Sequence, residues 1–162
     1  MRKLIGVAAI VFMISALAMA GEAPKPEIYG GYQFTSTDGG WHGQGFNAGG
    51  NLYITRWLAG TADLGSGFSS GSKLYSYTFG PTVSMQRKNF TPFAHALFGG
   101  AHASAGSVAS SSGMAMMFGG GVDVGNKKFA IRAIQFDWLT LRFSGVTDKN
   151  NMRVTTGILY RF

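Results

Sequence analysis

The sequence predicts an all-β chain: an eight-stranded antiparallel up-and-down transmembrane β-barrel, preceded by a cleavable signal peptide. Three observations predict it. The last twelve residues alternate with a period of two, Met152, Val154, Thr156, Ile158, Tyr160 and Phe162 on one face against Arg153, Thr155, Gly157, Leu159 and Arg161 on the other. A strand of about ten residues with one apolar face is the unit of a membrane barrel. The composition combines 25 Gly, 14% aromatic and 13% charged residues with no Cys. That charge content is about half the globular average of ~25%, too little to cover a water-facing wall. Finally, the N-terminus carries an export signal.

That signal occupies 1–20. Arg2 and Lys3 form the basic region, 4–17 the apolar stretch, and Ala18-Met19-Ala20 a small-residue cleavage site. Removing it leaves 12 basic against 7 acidic side chains, a net +5 instead of +7. A short lead-in, 21–26, stiffened by Pro24 and Pro26, precedes a single barrel domain at 27–162. Without Cys there is no disulfide framework and no thiolate chemistry.

Taken in order, strands are predicted at 27–35, 46–55, 58–65, 74–86, 92–102, 114–124, 129–141 and in the final stretch. The clearest is the fourth, with Tyr75, Tyr77, Phe79, Val83 and Met85 opposing Ser76, Thr78, Gly80, Thr82 and Ser84. Ser/Gly-rich stretches near 36–45, 66–72, 103–113 and 144–150 read as long loops, and the Arg56, Arg87-Lys88 and Lys127-Lys128 turns as short connections. Eight strands with this alternation close as an up-and-down barrel with both termini on one side. A soluble barrel would have to house Phe79, Phe118, Phe136, Trp138 and their like in a lumen that side chains of ordinary size already fill. The rings therefore belong outside, against lipid, and the small and polar face lines the lumen.

Strand parity then places Asp63, Asp123, Asp137, Arg153 and Arg161 inside, with His95 and Gln135 as companions. Buried charges persist when paired and hydrogen-bonded. The expectation is an ion-pair network in which Arg153 or Arg161 meets one or more of the three aspartates, acting as a plug or as a gate. Arg132 has the parity of the lipid face. Either it snorkels to the interface or a bulge shifts its strand. The basic turns, Arg56, Arg87, Lys88, Lys127 and Lys128, are expected to rest on anionic lipid headgroups.

Other chemistries find little support. Gly119-Gly120-Gly121 leads into Val122-Asp123-Val124, a strand rather than the helix a phosphate loop requires. Three dispersed histidines, His42, His95 and His102, offer no metal-ligand spacing. No metal, cofactor or nucleic-acid partner is expected.

The segment Gly157-Ile158-Leu159-Tyr160-Arg161-Phe162 resembles the terminal signal of bacterial outer-membrane β-barrel proteins. The resemblance implies that Ile158, Tyr160 and Phe162 form the signal read by the barrel assembly machinery. The mature chain as a whole resembles the small outer-membrane barrels of the OmpA-transmembrane-domain and OmpX-like kind. Gly45-Phe46-Asn47, Arg56-Trp57-Leu58, the run from Thr91 to Gly100, and Phe136-Asp137-Trp138-Leu139 are similar to porin-like members. It implies residence in the outer membrane as a monomer, contact with outer-membrane lipid and lipopolysaccharide, and a structural, surface-recognition or minor-pore role. The peptidoglycan-binding domain of full-length OmpA has no counterpart here, so no cell-wall tether is implied. His102-Ala103-Ser104 is loosely similar to the His-x-Ser pattern of outer-membrane lipid A deacylases, which makes a lipid A-modifying hydrolase the alternative.

Overall fold

The computed structural model describes residues 25–105, 109–126, 128–143 and 146–162. The predicted signal peptide, and Lys127, lie outside the described residues. Eight strands follow one another: β1 (Glu27–Ser36), β2 (His42–Tyr53), β3 (Leu58–Ser69), β4 (Ser72–Ser84), β5 (Phe90–Ala105), β6 (Ala109–Gly125), β7 (Phe129–Phe143) and β8 (Val146–Arg161). Each pairs antiparallel with its sequence neighbour, and β1 pairs with β8 to close the barrel. Closure gives every strand two partners, so no edge is left with unpaired backbone groups.

The wall is inside-out relative to a water-soluble barrel. Outward positions carry Phe46, Leu64, Phe79, Phe118, Ile134 and Ile158, of which Phe79 is 68% and Ile158 72% exposed. Inward positions carry Asp63, Thr78, His95, Asp123, Gln135 and Arg153, all buried. Alternation with this polarity is what a strand needs when one side meets hydrocarbon and the other a packed polar lumen.

The long loops expected from composition are instead mostly strand. The β1–β2 connection spans only 37–41 and the β3–β4 connection is Ser70-Gly71, with Gly71 at φ 79°. The Ser-rich stretch after His102 continues the β5–β6 ladder, pairing Ser104 with Ser110 and His102 with Ser112. Ser and Gly signal turns because they tolerate turn geometry, yet the ladder is made by backbone groups and runs on wherever two strands stay in register. The later strands are consequently long, 17 residues in β6 against 10 in β1. A span needs only about 9–11, so β5 and β6 rise beyond the apolar belt.

One residue of β7 is extra. Arg132 faces Asp123 and Gly157, whereas Gln135 faces Gly121 and Thr155. β7 thus advances one residue more than either neighbour, leaving both Ala133 and Ile134 outward. The bulge reverses parity below it and turns Arg132 into the lumen, where it is 3% exposed. Of the two readings left open for Arg132, the bulge is the one observed.

Candidate functional site

The lumen is filled in layers, starting from the end where β1 begins and β8 ends. In the first, Arg161 Nε donates to Glu27 Oε1 at 2.6 Å, and Glu27 Oε2 also accepts from Asn51 and the Tyr53 hydroxyl. Glu27 and Arg161 are register partners across the β1–β8 seam. Parity leaves either Arg153 or Arg161 to meet an aspartate, and Arg153 is the one that does. Arg161, at the end of β8, lies directly opposite Glu27 across the seam, and Glu27 takes the pairing.

Above it, Arg132 forks onto Asp123, with Nε to Oδ1 at 2.8 Å and Nη2 to Oδ2 at 3.1 Å. The guanidinium lies between two rings, 4.1 Å from the Tyr29 centroid and 4.4 Å from that of Phe93. A delocalised, weakly hydrated cation suits such a slot better than an ammonium would. Arg132 Nη1 also donates to Gln135 Oε1 at 2.7 Å, so Asp123 joins the wider network through Arg132 and Gln135.

The third layer holds the charges at mid-height. Arg153, 1% exposed, donates through Nη1 to Asp63 Oδ1 at 2.6 Å and through Nε to Asp137 Oδ2 at 2.8 Å. Asp137 also receives Gln135 Nε2 at 2.7 Å and lies 2.8 Å from His95 Nε2. The Tyr29 hydroxyl donates to Asp63 Oδ2 at 2.8 Å, and Asn47 Nδ2 reaches the same oxygen. One connected set of hydrogen bonds therefore runs from Asp123 through Arg132, Gln135, Asp137 and Arg153 to Asp63 and Tyr29. Strand parity puts Asp63, Asp137, Arg153, His95 and Gln135 on the lumen side, and the register brings them to one height; Glu27, Tyr29 and Asn47 join them in the lumen without having been singled out. Their parity was readable, but not the cross-barrel register that aims them at these partners.

A fourth layer is apolar. Leu74, Leu97, Ala101, Ala115, Met117, Leu139 and Leu141 pack together above the charges, with Trp41 and Ala103 against them. The sequence signal was present: β6 reads Met114-Ala115-Met116-Met117-Phe118, apolar on both faces. Trp41, expected at the middle of an exposed loop, instead lies over Gly43 and Gly67. A Cβ at Gly67 would come within 2.9 Å of its ring.

The remaining candidates sit outside the lumen. His102 Nδ1 lies 2.9 Å from Ser112 Oγ, across the ladder, while Ser104 pairs with Ser110. The bond of His102 is thus to a different serine, and no carboxylate contacts His102 among the described residues. The geometry does not support the hydrolase alternative. Tyr160 packs on Phe129 and Phe162, with ring centroids 5.0 and 5.1 Å apart, and Ile158 stands outward beside them. Arg56, Arg87, Lys88 and Lys128 are exposed at the turns of the terminal end. Among the described residues no group of three His, Asp or Glu side chains is placed to hold a metal ion.

No family model and no curated protein matches the sequence. Solved structures do match. Neisserial surface protein A, NspA, superposes with a TM-score of 0.66 at 15% identity, covering 88% of this chain and 100% of that one. The fold is that of a small outer-membrane barrel. The N-terminal β-barrel domain of Pseudomonas aeruginosa OprF gives 0.60 at 9% identity, over 87% and 100% of the two chains. Ail, the attachment invasion locus protein of Yersinia pestis, gives 0.55 at 19%, again over 87% and 100%.

Proposed function

We propose that the protein is an integral outer-membrane barrel with a structural and surface-display role, its lumen closed to ions and its chemistry non-enzymatic. The observation that carries this reading is the inverted wall: exposed rings and aliphatic chains outside, a fully paired ion network inside. Its fold likeness to NspA, OprF and Ail supports the location. Export by the predicted signal peptide would leave both termini in the periplasm. The turns that carry Arg56 and Lys128 then face the inner leaflet, and the polar crown of β5 and β6 (His102, Ser104, Ser110, Ser112) stands at the cell surface beside lipopolysaccharide. Ile158, Tyr160 and Phe162, clustered with Phe129 on the outer wall, are available to the assembly machinery, and nothing in the reading requires more than one copy.

The lipid-facing assignment has a direct test. Phe118 lies at mid-height of the belt, and Ser112 lies beyond it. Phe118→Lys is expected to cost about 2–4 kcal/mol and Ser112→Lys about 0–1, measured by guanidinium titration of the barrel in phospholipid vesicles. Equal, small costs at both positions would show that Phe118 does not face hydrocarbon. Recovery of the protein outside the outer-membrane fraction would contradict the location.

A further inference from the structure

The mouth of the barrel at the terminal end is more than an array of basic turns. It forms a half-open pocket of about 350 Å³ lined by Lys25, Arg87, Lys88 and Arg161, with Gln86, Asn126 and Phe162 also on its wall. Arg161 forms the floor, held by Glu27, by the Asn126 carbonyl at 3.1 Å and by Thr91 Oγ1 at 3.3 Å. The side-chain acids nearest this end are already taken, which leaves the main-chain carboxylate of Phe162 as the one anion on the lining. Glu27 is bound to Arg161, Asn51 and Tyr53, and Asp123 to Arg132. Among the described residues, Lys25, Arg87 and Lys88 form no ion pair. Three cations without an ion pair outnumber the one main-chain carboxylate at the rim, and low-dielectric walls focus their field into the concavity.

We infer that this mouth binds a phosphate-bearing anion carrying more than one negative charge, supplied from solution rather than by the bilayer. The volume exceeds that of a single phosphate and lies at the small end of ordinary ligand cavities, about 300–1,000 Å³. Position separates this site from headgroup contacts. Arg87 and Lys88 border the cavity within the barrel rim, whereas Arg56 and Lys128 do not line it. The basic turns thus divide, one pair turned toward the mouth and the others left for lipid. The inference goes beyond the structural role and rests on that reading only for the compartment from which the ligand comes.

The test uses the barrel refolded in an uncharged, phosphate-free detergent and titrated with inorganic pyrophosphate at low salt. The readout is the backbone amide NMR shifts of Gln86 and Asn126. Saturable shifts are expected. The triple variant Lys25→Gln, Arg87→Gln, Lys88→Gln should bind at least about tenfold more weakly, and Arg56→Gln with Lys128→Gln should leave affinity unchanged. Raising sodium chloride should weaken binding, as screening requires. Absence of saturation, or equal loss in both variants, overturns the site. A parallel titration in nanodiscs containing phosphatidylglycerol separates the two sources of phosphate. If lipid alone produces the same shifts and pyrophosphate does not alter them, the occupant is a headgroup and the soluble ligand is wrong. A dispersed spectrum in every variant shows the barrel intact, so failure here leaves the membrane reading standing.

Discussion

An arginine that is 1% exposed between Asp63 and Asp137 has no water to replace a lost partner. Its Nε and Nη1 are hydrogen-bonded to the two carboxylates and its Nη2 stands in ion-pair contact with Asp137, which is why the charges are tolerated in a lumen without bulk solvent. Such a pair adds little over an apolar filling when intact, but losing one member is costly because the other charge remains buried. Arg153→Met, which keeps volume, should therefore destabilise the barrel by about 3–5 kcal/mol, read from guanidinium unfolding in detergent or vesicles. The companion variant Asp63→Asn, Asp137→Asn, Arg153→Met removes the charges together and should recover much of that loss. If Arg153→Met alone unfolds no more easily than the parent, the network does not hold the lumen. At this scale the sequence was informative because parity alone says which side a side chain is on. It could not say that Arg161 would choose Glu27, since that follows from the seam register between the first and last strands.

Among the elements, β7 shows how far alternation can be trusted. Read with strict period two from Asp137, it puts Arg132 against lipid; the inserted residue at Ala133–Ile134 restores it to the lumen. A bulge leaves no composition signal here, because Ala133 and Ile134 are ordinary strand residues. Only the presence of an arginine on an apolar face hinted at it. The register makes a sharp expectation possible. Deleting Ala133 removes the extra residue relative to both β6 and β8, and should leave Arg132 inward, opposite Asp123. The cost should be no more than about 1 kcal/mol, as for surface changes away from a packed core. Deleting Phe136 instead also leaves Arg132 and Asp137 opposite their partners, but it turns Gln135 outward and Ile134 into the lumen, and so breaks the link between the two arginines. Heat-modifiable gel mobility and the unfolding midpoint distinguish the two. Equal failure of both deletions would mean that the bulge itself is needed, through the bend it imposes on the wall. The Ser-rich ends of β5 and β6 teach the reverse lesson: turn-favouring composition concealed strand, because pairing there depends on the neighbouring backbone and not on side-chain preference.

For the molecule as a whole, the question is whether the lumen conducts, and the layers answer it by their order. Ion-pair rearrangement could admit water only as far as the mid-height charges. Beyond Asp63, Arg153 and Asp137 lies the apolar layer of Leu97, Met117 and Leu139, all at most 2% exposed, with Trp41 across its top. Apolar constrictions exclude ions by dewetting even where a path of sufficient width exists. Two unlike seals in series make each redundant for closure, although only the charged one carries a large penalty when halved. Planar-bilayer recordings should then show no steady conductance for the parent protein and none for Arg153→Ala. Current should appear only when the apolar layer is opened as well, as in Arg153→Ala with Leu97→Ser and Leu139→Ser, among variants that keep heat-modifiable mobility. Steady current through Arg153→Ala alone would mean that the charged layer is the gate, and would move the protein from the structural barrels to the minor pores. The apolar seal also explains why β6 is hydrophobic on both faces from Met114 to Phe118: one side belongs to the exposed apolar wall and the other meets the plug. A strand reading that assigns each residue to one of two media treats such a segment as ambiguous, and it takes the closed barrel to show that both assignments hold at once.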